Sequence, residues 1–136
     1  KKKEIIENIA PELEESVFQV IDDILNLDIY NAIKKIDIIL GDTNIYAFYN
    51  NIIANLRTSI YILKLKKIQI PSSQISEILN LWNRAFLINK RSKISYEKAQ
   101  KLYIWLVNID KKMKSWKLLW TEEKDFRFEL EKVLLL

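Results

Sequence analysis

The sequence predicts an all-α fold, a compact helical domain of about six or seven helices, and three observations predict it. Apolar residues recur at three- and four-residue spacing along almost the whole chain. One glycine (Gly41) and two prolines (Pro11, Pro71) in 136 residues leave too few breakers for the many hairpins of a sandwich or barrel. Capping residues such as Asp28, Ser95 and Thr121 stand just ahead of periodic segments.

The elements follow in order. Lys3 to Ile9 reads as a short helical piece that ends near Pro11. Glu14 to Asn26 sets Val17, Phe18, Ile21, Ile24 and Leu25 on one face. Asp28 caps the next helix, whose stripe is Ile29, Ala32, Ile33, Ile36, Ile39 and Leu40. Gly41 is expected to end it, since a left-handed residue costs least as glycine. The two helices form an antiparallel hairpin. The longest helix carries Ile45, Phe48, Tyr49, Ile52, Ile53, Leu56, Ile60, Leu63 and Lys67 on one stripe. It must stop before Pro71, which pushes residue 70 toward extended backbone. Ser72 or Ser73 is expected to cap a helix with Ile75, Ile78, Leu79 and Trp82 on its apolar face. Residues 83–93 carry no clear period. Ser95 caps another long helix with Ala99, Leu102, Tyr103, Leu106, Ile109 and Met113 inward. Thr121 caps the last, with Glu122 and Glu123 against its positive end and Phe126, Leu130, Val133 and Leu134 inside.

Composition excludes several chemistries. There is no His and no Cys, so imidazole and thiolate catalysis and an ordinary zinc site are out. One glycine cannot build a Walker loop or a dinucleotide fingerprint. No apolar run approaches the length of about 18 residues that a membrane span needs. The net charge of +4 is unevenly placed. Glu4 to Asp23 holds seven acids and no base, whereas Arg84 to Lys117 holds ten bases against Glu97 and Asp110. The second stretch reads either as a nucleic-acid footprint or as a solvated helix face. Ile, Lys and Asn number 23, 18 and 11, a bias toward A/T-rich codons that raises Lys on its own account.

Few residues offer chemistry. Asp22 and Asp23 are adjacent, and neighbours on a helix diverge by about 100°, so they do not converge on one ion. Asp110 stands four residues before Lys114, the spacing of a surface helix pair; a buried version would be a specificity device. The aromatics are numerous, and most fall on apolar stripes as core. Interleaved with Lys they would also suit a stacking platform. Trp105 lies off its stripe between Ile104 and Leu106, so that helix is apolar on more than one face. Such a helix is buried by two neighbours, one of which can be another subunit. Leu134, Leu135 and Leu136 at the end of the sequence have the same character.

Three stretches carry a family likeness. The first is Ser16-Val17-Phe18-Gln19-Val20-Ile21-Asp22-Asp23-Ile24. The second is Asp28 to Leu40 with Ala32-Ile33, followed by Leu56-Arg57 on the long helix. The third is Asp110-Lys111-Lys112-Met113-Lys114, an Asp-x-x-x-Lys near the end of a long helix, with a Leu-rich Phe128 to Leu135 after it. In these, and in their order, the chain resembles the C-terminal domain of the bacterial DNA polymerase III delta subunit, a clamp-loader component. It departs from that pattern at Ala85-Phe86, where Pro-Phe is usual, and at Ser115-Trp116, where Gly normally follows.

The resemblance implies a collar of the post-AAA+ oligomerisation type over residues 14–136, with residues 1–13 as the tail of an AAA+-like module. It implies no catalysis by this domain and no cofactor or metal. The nucleotidyltransferase activity would belong to the cytoplasmic DNA-replication holoenzyme. The partners implied are gamma/tau and delta-prime through the collar, the sliding clamp through an N-terminal domain outside this sequence, and DNA indirectly. The family-motif residues are Phe18, Arg57, Asp110 and Lys114. The surplus apolar residues Trp105, Trp116, Trp120, Leu134, Leu135 and Leu136 are the expected subunit interface, and Lys111, Lys112, Lys114 and Lys117 a basic patch. The alternative is a free-standing helical nucleic-acid-binding domain that uses the basic 84–117 stretch.

Overall fold

Six α-helices and one 3-10 helix carry the described residues: α1 (Lys2–Leu25), α2 (Ile29–Asp42), α3 (Ile45–Lys67), α4 (Ser72–Leu79), the 3-10 helix Trp82–Asn89, α5 (Tyr96–Ser115) and α6 (Glu123–Leu135). The computed structural model describes residues 2–115 and 123–135, with side chains over 12–81, 85–111 and 126–135. Among the described residues there is no strand.

The arrangement follows from where the apolar stripes fall. α1 and α2 pair as a hairpin, and α3 lies against α1 on one side and α5 on the other. α6 covers α5 and reaches α2. The main core gathers Val17, Ile21 and Ile24 of α1, Ala32, Ile36 and Leu40 of α2, Phe48, Ile52 and Leu56 of α3, Leu106 and Ile109 of α5, and Phe126 and Leu130 of α6. These are the stripes the periodicity predicts. A second, smaller core of Ile62, Ile75, Leu81, Leu87 and Ile88 sits where α4 and the 3-10 helix fold back on the end of α3. That second core is why α3 buries Ile62 outside its predicted stripe, and Asn55 and Ser59 are buried outside the stripe as well. The two polar residues are satisfied within the helix: Asn55 Nδ2 donates to the Asn51 carbonyl at 3.0 Å, and Ser59 Oγ to the Asn55 carbonyl at 3.1 Å.

Two predicted caps are in place. Asp28 accepts from the Asn31 amide at the start of α2, and Ser95 Oγ accepts from the Lys98 amide at 3.1 Å at the start of α5. Asn44 caps α3, accepting from the amides of Tyr46 and Ala47 at 2.9 and 3.1 Å.

Local expectations are corrected at Pro11, at Gly41, at Ser72 and Ser73, at Ile78 and at Trp82. α1 runs through Pro11 instead of stopping there, the helical φ of proline permitting it although one backbone bond is lost and the ring crowds the preceding turn. The expected division between residues 13 and 14 therefore falls inside α1. Gly41 does not terminate α2: it lies within the helix, which continues to Asp42. Ser72 and Ser73 do not cap α4, since the cap position is Pro71, whose carbonyl accepts from Gln74 and Ile75 at 3.0 Å. Ile78 is exposed, because α4 is eight residues long and buries little besides Ile75. Trp82 opens the 3-10 helix and does not extend α4.

The left-handed positions are Leu27, Gln69 and Asn80. Each closes a helix with the same pair of bonds. The Leu27 amide bonds the Ile24 carbonyl and the Asp28 amide the Asp23 carbonyl; Gln69 and Ile70 repeat this onto Lys66 and Leu65, and Asn80 and Leu81 onto Glu77 and Ser76. This is the Schellman closure, built here without glycine.

Candidate functional site

A groove of about 620 Å³ opens where the α1–α2 joint, the start of α5 and the end of α6 meet. Ile24, Leu27 and Ile29 form one wall and Val133, Leu134 and Leu135 the other. Trp105 and Leu102 stand between them, and Lys98 and Lys101 lie along the α5 side.

Local chemistry fixes one wall. The last four carbonyls of a helix have no partner within it. The Leu25 carbonyl finds two outside, the amides of Lys93 and Ile94 at 3.0 and 2.9 Å. This draws the segment before α5 against the end of α1 and sets Ile94 beside Ile24. Ser95 then starts α5, which carries Trp105 into the groove.

The structure thus brings three expected interface residues to one place. Trp105 is 38% exposed and Leu135 is 72% exposed, while Leu134 is 5% exposed and belongs chiefly to the domain's own core. Ile104 and Val107 are exposed beside Trp105, so α5 is apolar on its outer side as well as its inner one. Trp116, Trp120, Leu136 and Lys117, and the side chains of Lys112 and Lys114, lie outside the described residues.

Phe18, Arg57 and Asp110, three of the residues singled out by the resemblance, make contacts inside the domain. Phe18 meets Phe86 edge-on, with ring centroids 5.8 Å apart. Arg57 Nε donates to the Tyr103 hydroxyl at 2.9 Å, linking α3 to α5. Asp110 is half-buried and its Oδ1 is fully covered, which corrects the surface position expected of it. It lies by Tyr49, whose hydroxyl donates to the carbonyls of Leu106 and Val107 at 2.8 and 3.2 Å. Burial pushes the Tyr49 hydroxyl up to about 12; the Asp110 backbone opposes the rise and its carboxylate adds to it.

Asp22 and Asp23 diverge as their adjacency requires. Asp22 pairs with Lys90, and Asp23 with Lys35 at 2.7 Å. Among the described residues no three acidic, His or Cys side chains are grouped to hold a metal, and no helix is long and apolar enough to cross a membrane.

Comparison with known proteins finds no matching family model, no matching curated protein and no matching solved structure.

Proposed function

We propose that this chain is an oligomerisation module of the clamp-loader collar type, acting through protein contacts and not through catalysis. The observation that carries the reading is the outer face of α5. Ile104, Trp105 and Val107 are exposed on it, and Trp105 continues into the groove toward Leu135. A helix with apolar residues on two sides needs a neighbour beyond its own domain. Tryptophan at the centre of such a surface is the residue type most enriched among binding hot spots.

The collar resemblance names the neighbours: gamma/tau and delta-prime, side by side with this domain in the assembly that places the sliding clamp on DNA. In that setting the acidic Glu4 to Asp23 stretch and the basic second half steer adjacent subunits into register.

Co-purification of the full-length protein with gamma/tau, delta-prime and the sliding clamp tests this directly. Association with the first two is expected, and Trp105→Glu should lower it at least tenfold without changing the helical circular dichroism of the domain. If none of the three partners is retained, the collar assignment fails. If they are retained equally well by the Trp105 variant, this face is not the interface.

A further inference from the structure

The end of α3 and the segment between the 3-10 helix and α5 are 24 residues apart in sequence and adjacent in space. Lys66 Nζ donates to the Lys90 carbonyl at 3.3 Å, and Lys66, Lys90 and Ser92 line one small crevice. Lys64 and Lys67 both reach the Tyr96 ring, at 5.0 and 5.6 Å from its centroid. Arg91 and Lys93 flank Ser92 and are exposed. Six bases therefore lie on these two adjoining segments: Lys64, Lys66, Lys67, Lys90, Arg91 and Lys93.

Two acids answer them. Lys67 pairs with Glu97 and Lys90 with Asp22. Lys64, Lys66, Arg91 and Lys93 have no acidic partner among the described residues. Six bases less two acids leave +4. The whole chain has 22 bases and 18 acids, also +4, so the other 16 bases and 16 acids cancel.

Helix-dipole stabilisation accounts for part of the cluster, since cations are favoured in the last turn. It accounts for Lys64, Lys66 and Lys67 and gives no reason for Arg91 and Lys93, which lie beyond the 3-10 helix. Lys66 makes its bond to a carbonyl, which leaves its charge unneutralised. Such a surface attracts a regularly spaced polyanion.

We infer that this corner binds the phosphodiester backbone of nucleic acid. Lysines act on phosphates as point charges, so the contact carries no base-reading. The unneutralised charge favours a phosphate backbone, and the exposed Ile68 and Phe86 beside these bases supply no phosphate contact. This inference does not rest on the oligomerisation reading: its bases lie at the end of α3 and between the 3-10 helix and α5, next to the groove that Glu97 also lines, and either can fail without the other.

The test is fluorescence anisotropy of the 136-residue chain with a labelled 20-base-pair DNA duplex and with the single strand, from 50 to 200 mM salt. Four unneutralised bases meeting four phosphates predict a log–log salt slope of about −3.6 on duplex, or a loss of roughly a hundredfold over that range. Lys64→Gln, Arg91→Gln and Lys93→Gln together should flatten the slope by about 2.7, each neutralised phosphate contributing about 0.9. A control removes charge elsewhere with Lys34→Gln and Lys132→Gln and should leave the slope unchanged. All five residues are exposed, so folding is preserved and is checked by circular dichroism. No binding at 50 mM salt overturns the inference. So does an equal loss in the patch and control variants, or binding to phosphatidylserine vesicles without binding to either DNA.

Discussion

Replacing Gln69 with glycine is expected to stabilise this domain, and replacing its one native glycine with alanine should do the same. Gln69 closes α3 at φ 64°, a conformation that costs an L-residue about 1–2 kcal/mol. Its side chain is exposed, so little packing is lost on truncation. Glycine gives back part of the gain as unfolded-chain entropy, leaving about 1 kcal/mol. Gly41 is the mirror case. It sits inside α2 without a positive φ, and a Cβ added there meets nothing within 4 Å. Gly41→Ala should therefore gain about 0.5–1 kcal/mol. The sites lie near opposite ends of α3, a helix of 23 residues, so the gains should add. Together they amount to about 1.5–2 kcal/mol, or roughly 5–7 °C in Tm at about 2.1 cal/mol/K per residue. Urea unfolding followed at 222 nm is the assay, with the midpoint rising and the slope unchanged. Leu27→Gly serves as an internal contrast, because Leu27 also lines the groove and its lost packing should cancel the backbone gain. A fall in stability for Gln69→Gly, or a rise for Leu27→Gly as large as that for Gln69→Gly, would refute the reasoning.

Tyr49 makes stability depend on alkaline pH. Its hydroxyl titrates near 12 in the fold against an ordinary value of 10.0, so the folded chain holds this proton more tightly than the unfolded one. The contribution is fully present below pH 10 and is lost between about 10 and 12, to the extent of roughly 2–3 kcal/mol. Tyr49→Phe should cost about 1 kcal/mol at neutral pH and remove that part of the alkaline loss, as denaturant midpoints at pH 8 and 11 will report. Phe126 meets Phe48 and Tyr49 edge-on at 6.4 and 6.0 Å and is wholly buried. Phe126→Ala should cost about 3–5 kcal/mol, and a loss under 1 kcal/mol in the same urea assay would mean that α6 is not part of the cooperative unit.

The inner stripes of α2, α5 and α6 were legible because each faces one core with a 3.6-residue period. Asp28 and Ser95 were legible because side-chain caps are local. What escaped was set by neighbours distant in sequence. Nothing near Ile62 signals burial; it is inside because α4 and the 3-10 helix return over it. The closures at Leu27, Gln69 and Asn80 escaped because none carries the expected glycine. Trp105 was readable as surplus from its place off the stripe, whereas the groove beside it depends on the Leu25 carbonyl meeting residues 93 and 94. The basic corner is half visible in the sequence: the run from Arg84 stands there as a block, whereas Lys64, Lys66 and Lys67 join it only through the fold.

The doubly used Leu25 carbonyl has a mechanical consequence for the groove. It couples the end of α1 to the segment leading into α5, and so joins the wall with Ile24 to the α5 edge that presents Trp105. The facing wall, at Val133 to Leu135, has no such staple among the described residues. A partner wedged beside Trp105 therefore loads an asymmetric jaw.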